Sequence, residues 1–216
     1  MPSTVSRSTQ VPRPIARPRV LIVEGRDAER FFHAMLEQMG LRDDFDILDW
    51  RSVGDWRHYA ATLRRTPGFR DVTALGFVRD AEASAESAFQ SVCGLVRDVA
   101  LSVPPAPMAV ADGNPRVSVY ILPDCREPGM LETLCLRSLG DDPVQRCVDE
   151  YLACVVNAGA HPPRHPAKAR LHAFLASREK PDLLLGEAAQ AGYFPWHSPA
   201  FDPLKRFLLA LAGRGG

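Results

Sequence analysis

Short runs of apolar residues alternate along the chain with longer segments of helical spacing. The runs with strand character are residues 20–23, 45–50, 72–78 and 117–122. An almost uninterrupted apolar run is typical of a strand that is buried on both faces of a sheet. Strands of this kind that alternate with helices indicate a parallel sheet covered by helices. The sequence therefore predicts an α/β fold, a three-layer Rossmann-like domain with a mainly parallel central sheet.

Helical spacing of apolar residues separates these runs. The expected helices are residues 27–39, 55–65, 83–99, 129–139, 144–156, 167–176 and 203–212. The proline-rich stretch 104–115 predicts a loop or a weak hairpin. Residues 1–18 contain four prolines and no apolar periodicity, which favours a flexible arm. We expect the remaining chain, residues 19–212, to form one domain.

Composition excludes several classes of protein. The chain has 26 Lys and Arg residues and 26 Asp and Glu residues, so its net charge is zero and it is not a polycation. No apolar stretch approaches the roughly 18 residues of a transmembrane helix, and we expect a soluble protein with no membrane partner. The five cysteines include no C-x-x-C pair, a pattern typical of reduced thiols in a cytoplasmic protein.

Acidic residues follow three of the expected strands: Glu24, Asp80 and Asp124. The carboxyl ends of parallel strands meet at one edge of a sheet, which is where such sheets bind ligands. Carboxylates gathered there repel one another unless a cation neutralises them, and their oxygens suit Mg²⁺ or Mn²⁺. In an extended chain Glu82 would point the same way as Asp80 and could share the ion. An alternative is that these acids only cap the helices that follow.

Four blocks of sequence carry a resemblance to a known family. They are residues 21–27 (LIVEGRD), 74–82 (ALGFVRDAE), 122–124 with 128–132 (LPD and PGMLE), and 185–188 (LGEA). A Glu-Gly turn after the first strand and a D-x-D-type pair after a later one resemble the TOPRIM signature. The chain is most similar to small stand-alone TOPRIM-like proteins that resemble the nuclease domain of OLD-family (overcoming lysogenization defect) endonucleases.

The resemblance implies a TOPRIM-like fold that binds one or two Mg²⁺ or Mn²⁺ ions and cleaves phosphodiester bonds in DNA or RNA. By position, Glu24 corresponds to a glutamate that acts as metal ligand or general acid/base. Asp80 and Glu82 correspond to the paired metal ligands, and Glu132 to an acid that serves a second metal. Lys168 corresponds to a lysine that stabilises charge on the phosphate. Asp124, in the third block, is a further candidate ligand.

Two departures from the family pattern keep a second function open. The pair ends in Glu82 instead of an aspartate, and Ala28 stands where the family commonly has an acid, between Asp27 and Glu29. The chain could therefore be a nuclease, with nucleic acid bound locally or delivered by a partner protein. The alternative is a catalytically degenerate module with a binding or regulatory role. The same carboxylates would also serve a phosphatase that acts on a small nucleotide.

Three further features allow chemical interpretations. His161, His165 and His172 could bind zinc, although surface positions explain them as well. Cys125 could be an exposed nucleophile. The basic residues between 164 and 180 could contact phosphates or form a solvated helix face.

Overall fold

A computed structural model of the chain describes residues 14–50 and 62–214. Its strands are β1 (Arg19–Val23), β2 (Phe45–Asp49), β3 (Ala74–Asp80), β4 (Val110–Ala111) and β5 (Arg116–Leu122). Within the described residues they form one sheet in the order β2-β1-β3-β5-β4. The pairs β1–β2, β1–β3 and β3–β5 are parallel, and β4 runs antiparallel to β5. The predicted α/β fold with a mainly parallel sheet is confirmed.

Helices connect the strands and follow the last of them. They are α1 (Arg26–Gln38), α2 (Ala85–Asp98), α3 (Leu131–Ser138), α4 (Pro143–Asn157), α5 (Pro166–Ala176), α6 (Leu185–Gln190) and α7 (Asp202–Ala212). Short 3₁₀ turns occupy Phe69–Asp71 and Pro199–Phe201. In the part of the chain that the structure describes, no helix has both the length and the apolar character needed to cross a membrane.

The helix predictions agree with these bounds to within two residues, except at two places. The predicted helix 55–65 lies largely outside the described residues. Helix α6 was not predicted, because its six residues are too few to display a helical period. The weak hairpin expected in residues 104–115 is present as the two-residue strand β4 beside β5.

The sheet has a core on each face, since successive strand residues point in opposite directions. Leu21 and Val23 belong to a core that also includes residues of α1, α3, α6 and α7. Val20 and Ile22 belong to the other core, which α2 covers. Helices on both faces give the expected three layers. In the middle of β3, a Cβ on Gly76 would lie 2.4 Å from a methyl carbon of Leu211, so glycine there allows α7 to pack closely on the sheet.

The domain begins before the predicted boundary at residue 19. Ile15 is buried, and the carboxylate of Asp46 accepts hydrogen bonds from the next two backbone N–H groups at 2.6 and 2.9 Å. Residues 14–18, predicted as part of the arm, are therefore packed against the domain, because a buried acid satisfies their backbone. The rest of the predicted arm, residues 1–13, lies outside the described residues.

Candidate metal centre

An open cavity of about 530 Å³ lies at the carboxyl edge of the parallel strands. The ends of β1, β3 and β5 form its floor, and the first turns of α1, α3 and α6 form its walls. Five acidic residues line it, and three of them are predicted ligands from separate parts of the chain: Glu24, Asp80 and Glu132. The structure therefore brings together three of the five predicted ligands, at the edge where parallel sheets bind ligands.

Backbone contacts between two of the sequence blocks place Glu132 beside Asp80. The Oδ1 atom of Asp80 accepts a 2.9 Å hydrogen bond from the N–H of Leu131, the first residue of α3. Glu82 and Gly129 exchange two backbone hydrogen bonds, each 2.9 Å long. Gly129 has a φ of 139°, and a Cβ there would lie 2.8 Å from Oγ1 of Thr133. The P-G-M-L-E block therefore requires glycine at this position, because its backbone has a positive φ and passes close to the side chain of Thr133.

Glu24 is held by a sharp turn from β1 into α1. Gly25 makes the turn with a φ of 88°, a conformation that favours glycine. Its N–H donates a 2.7 Å hydrogen bond to Oδ1 of Asp49, the last residue of β2. Sequence reasoning missed Asp49, although it ends a strand in the same way as the acids that were selected. Asp49 fixes the backbone that carries Glu24.

Burial and neighbouring charges change the pKa values of Asp80 and Glu24. Burial and the charges of Glu132 and Glu24 raise the pKa of Asp80 to about 7, despite the hydrogen bond from Leu131, which lowers it. Burial also raises the pKa of Glu24; Arg79 lowers it, and the charges of two further acids raise it. Burial is the largest cause of both shifts, and a cation bound beside these carboxylates would lower their pKa values again.

Glu82 departs from the geometry expected of it. Its φ of 52° is left-handed and its side chain is exposed, so the prediction that an extended chain aligns it with Asp80 is wrong. The backbone turns at Glu82 because its N–H and C=O pair with Gly129. Its charge nevertheless raises the pKa of both Glu24 and Asp80. Glu82 therefore adds to the negative potential of the site.

Asp124 is engaged away from the other acids. Its Oδ1 atom accepts hydrogen bonds from the N–H groups of Arg126 and Glu127 at 3.0 and 2.8 Å, and its Oδ2 atom lies 2.6 Å from Nη1 of Arg137. Burial alone would raise the pKa of Asp124, but these hydrogen bonds and the guanidinium outweigh it and lower the pKa. Asp124 therefore stabilises the turn after β5 and binds Arg137, and it caps no helix, because α3 begins only at Leu131.

Cationic side chains share the cavity with the carboxylates. The Nζ atom of Lys168 lies 3.7 Å from Oε1 of Glu132, with Lys168 57% exposed and Glu132 only 14% exposed. Arg26 and Arg30, one helical turn apart in α1, also line the cavity. Nη1 of Arg30 lies 2.5 Å from Oε1 of Glu187 in α6. Lys168 lies in a part of the sequence where the spacing matches the family only loosely. The structure nevertheless places it next to Glu132, a predicted ligand.

The L-G-E-A block has a structural explanation. A Cβ on Gly186 would lie 2.5 Å from Cβ of Arg30 and 2.7 Å from the backbone oxygen of Asp27, so only glycine allows α6 to pack this closely on α1. Glu187 accepts a 3.2 Å hydrogen bond from the N–H of Leu184 and so caps α6. The block closes one wall of the cavity and orients Arg30.

The position occupied by Ala28 carries no acid, but one of its neighbours faces the cavity. Ala28 is buried, whereas Asp27 lines the cavity. The other neighbour, Glu29, has its Oε1 atom 3.9 Å from Nε2 of His33. Asp27 is therefore the flanking acid that lies near the candidate centre.

The donor set fits a hard divalent cation in its chemistry. All of the candidate donors are carboxylate oxygens, the ligands that suit Mg²⁺ and Mn²⁺. In residues 14–50 and 62–214, however, no group of three His, Cys, Asp or Glu side chains is already arranged to hold a metal ion. Binding an ion would therefore require the carboxylates to approach one another more closely than they do here.

The other features noted in the sequence have structural roles or lie outside the cavity. His161, His165 and His172 are all exposed. Burial raises the pKa of Cys125 to about 11, and its Sγ atom accepts a hydrogen bond from the backbone, so the thiol is protonated and poorly nucleophilic at neutral pH. In the basic stretch, Arg170 pairs with Asp149 and Arg178 with Asp142, and these contacts join α5 and its C-terminal end to α4.

The chain belongs to a family described as proteins of unknown function, DUF3226, whose model matches residues 18–213. No curated protein and no solved structure matches the chain. The matched range includes all the strands and helices given above, and with them every residue that lines the cavity.

Proposed function

We propose that this chain binds Mg²⁺ or Mn²⁺ at Glu24, Asp80 and Glu132 and hydrolyses phosphodiester bonds in DNA or RNA, as a TOPRIM-like nuclease. The observation that carries the proposal is that these three carboxylates line one cavity, where burial first and then the neighbouring charges raise the pKa of Asp80 to about 7. A divalent cation would relieve that repulsion. Burial of this many like charges is costly for the fold, and such costs are typical of functional sites.

The chain's own groups have separate roles in this proposal. A bound cation would polarise the phosphate and lower the pKa of an attacking water. Burial raises the pKa of Glu24, which makes its carboxylate a stronger base and suits it to accept a proton from an attacking water. Lys168 is exposed enough to reach a substrate and is suited to neutralise charge that develops on the phosphate.

Local cations support a phosphate-bearing substrate. The net charge of zero gives no general attraction to nucleic acid, so affinity has to come from specific groups or from a partner protein that delivers the substrate. Arg26, Arg30 and Lys168 supply positive charge within the cavity itself. A phosphate held by these groups would lie close to the carboxylates.

A second function is favoured by one observation. No three ligating side chains in the described ranges are already arranged around an ion. Together with the left-handed turn at Glu82, this is what a degenerate site would show, and the chain would then be a non-catalytic binding or regulatory module.

Metal binding separates the two functions. Isothermal titration of Mn²⁺ into the wild-type protein should give saturable binding, and Asp80→Asn and Glu132→Gln should each weaken it at least tenfold. Glu179→Gln, at an exposed glutamate outside the cavity, is the matched control and should bind as wild type. Absence of saturable binding by the wild-type protein would favour the non-catalytic module.

Cleavage is then tested with supercoiled plasmid, single-stranded DNA and structured RNA in Mg²⁺ or Mn²⁺. The wild-type protein should cleave at least one of them, while Glu24→Gln should be inactive and Lys168→Met strongly impaired. Lys180→Met, at another exposed lysine, is the control for loss of a positive charge. Equal cleavage by the wild-type and Glu24→Gln proteins would indicate a contaminant and remove the nuclease proposal.

A further inference from the structure

We infer that the cavity binds one phosphate-bearing nucleotide unit, either a free nucleotide or the terminal nucleotide of a strand. Its phosphate would contact Arg26 and Arg30, and its nucleoside would contact Leu184. The inference rests on the proposed function and narrows it, because it names the part of the substrate that the protein recognises. Three properties of the cavity carry it: its size, its pair of arginines and its apolar edge.

The size of the cavity suits a single nucleotide. Its volume of about 530 Å³ falls within the roughly 300–1,000 Å³ of sites that bind small molecules. A cube of that volume has edges about 8 Å long. The major groove of B-form DNA is already roughly 12 Å wide, so the whole double helix is wider than the cavity. Side chains of α5 and α6 also line the cavity. A single nucleotide or a strand end fits within this volume, and a double helix could only lie across its mouth.

The two arginines are placed to hold a phosphate. Arg26 and Arg30 are four residues apart in α1 and therefore lie on one face of the helix. Nη1 of Arg30 contacts Glu187, which orients the guanidinium, and a guanidinium has five N–H donors in all. Arginine pairs favour phosphate because their planar donors can bind two oxygens at once. The carboxylates are carried by other elements, so metal and phosphate would be bound by different groups.

Leu184 provides apolar surface at the edge of this charged cavity. It is one of the large hydrophobic side chains that the described part of the chain leaves exposed, at 45% of its surface, and it lines the cavity with Leu185. A single exposed leucine is ordinary on a protein surface. Beside arginines and carboxylates, however, it offers the sugar or base of a nucleotide a contact that inorganic phosphate cannot use.

Calorimetric titration with simple probes tests the inference. The probes are adenosine 5′-monophosphate, adenosine and inorganic phosphate, each in the presence of Mg²⁺. A 5′-phosphorylated and a 5′-hydroxyl tetranucleotide form a second pair, titrated into Glu24→Gln protein so that cleavage does not interfere. The nucleotide should bind at least tenfold more tightly than adenosine or phosphate, and the phosphorylated tetranucleotide more tightly than its hydroxyl form.

Two variants assign the contacts. Arg26→Gln should weaken binding of both the nucleotide and inorganic phosphate about tenfold, because it removes a phosphate contact. Leu184→Ser should weaken the nucleotide severalfold and leave phosphate unchanged. The matched controls are Arg146→Gln and Val156→Ser, at an exposed arginine and an exposed apolar residue of α4, and both should bind as wild type.

The outcomes separate this inference from the nuclease proposal. Nucleotide binding that depends on Arg26 and Leu184, without cleavage of any nucleic acid, would support the inference and remove the nuclease. The inference alone would be overturned if the protein cleaves nucleic acid but shows no saturable binding of nucleotide or tetranucleotide. It would also be overturned if the protein cleaves nucleic acid and the Arg26→Gln and Leu184→Ser proteins bind the probes as tightly as their control variants. Preference for the free nucleotide would indicate a small-molecule substrate, and preference for the phosphorylated tetranucleotide would indicate a strand end.

Discussion

The carboxylate of Asp80 accepts a hydrogen bond of 2.9 Å from the backbone N–H of Leu131, a residue 51 positions later in the chain. This bond caps the first turn of α3 and brings Glu132, the next residue, beside Asp80. A hydrogen bond from an N–H group favours the ionised carboxylate and lowers its pKa. The pKa of Asp80 is nevertheless raised to about 7, since burial and the neighbouring acids outweigh the bond. The capping of α3 alone therefore does not explain the raised pKa of Asp80.

The raised pKa of Asp80 predicts that the metal-free protein loses stability as the pH rises. Between pH 3.8 and about 7 the folded protein keeps a proton on Asp80 that the unfolded chain releases. The free energy of unfolding should therefore fall with rising pH in this window, by at most roughly 1.4 kcal/mol per pH unit. Asp80→Asn removes the titration and should be more stable than wild type at pH 8. Urea denaturation at pH 5, 6, 7 and 8 in EDTA measures the difference.

Asp182→Asn, at an exposed aspartate, is the control for this experiment and should follow the wild-type pH dependence. Addition of Mn²⁺ at pH 8 should stabilise the wild-type protein and leave Asp80→Asn unchanged, because the cation replaces the missing counter-charge. Parallel pH curves for the wild-type and Asp80→Asn proteins would show that Asp80 has an ordinary pKa.

The fold could be predicted from the sequence because its signals are local. Each parallel strand contains an apolar run, and the helices α1, α2, α4 and α7 each show a helical period of apolar residues. The same pattern predicted which edge of the sheet carries the candidate site, because the direction of the strands determines where their carboxyl ends meet. Glu24 and Asp80 were therefore found from position alone, and the resemblance to a family added Glu132.

Contacts made by residues far along the chain could not be predicted in this way. Asp80 is the last residue of β3, whereas Asp124 lies two residues beyond the end of β5, where Arg137 and two backbone N–H groups bind it. Glu82 adopts a left-handed conformation because its backbone pairs with Gly129, 47 residues later. Arg137 and Gly129 lie 13 and 47 residues after the acids that they contact, so neither contact can be predicted from the residues next to the acid.

Asp124→Asn should leave metal binding unchanged. The carboxylate is occupied by Arg137 and by two backbone N–H groups, which an asparagine oxygen can still accept. We expect Mn²⁺ affinity within twofold of wild type and a loss of stability of at most about 1 kcal/mol, since the ion pair with Arg137 is partly exposed. Titration calorimetry and urea denaturation measure the two quantities. A tenfold loss of Mn²⁺ affinity would make Asp124 a ligand after all.

Gly186→Ala should destabilise the protein by about 1–3 kcal/mol. The added Cβ would lie 2.5 Å from Cβ of Arg30 and 2.7 Å from the backbone of Asp27, so α6 has to move away from α1. Gly94→Ala is the matched control, because it is also in a helix and nothing lies within 4 Å of its added Cβ. That change should stabilise the protein by about 0.5–1 kcal/mol. Equal effects of the two substitutions on urea denaturation would refute close packing at Gly186.

Substitutions of Glu187 should separate its two structural contacts. Its Oε2 atom accepts the N–H of Leu184 and caps α6, and its Oε1 atom contacts Arg30. Glu187→Ala removes both contacts and should cost about 1–2 kcal/mol. Glu187→Gln keeps an acceptor for the cap and should cost less than about 1 kcal/mol, because the ion pair is 36–42% exposed and contributes little. Urea denaturation compares both variants with Glu179→Ala, an exposed control. If the glutamine variant is as unstable as the alanine variant, the contact with Arg30 provides most of the stabilisation.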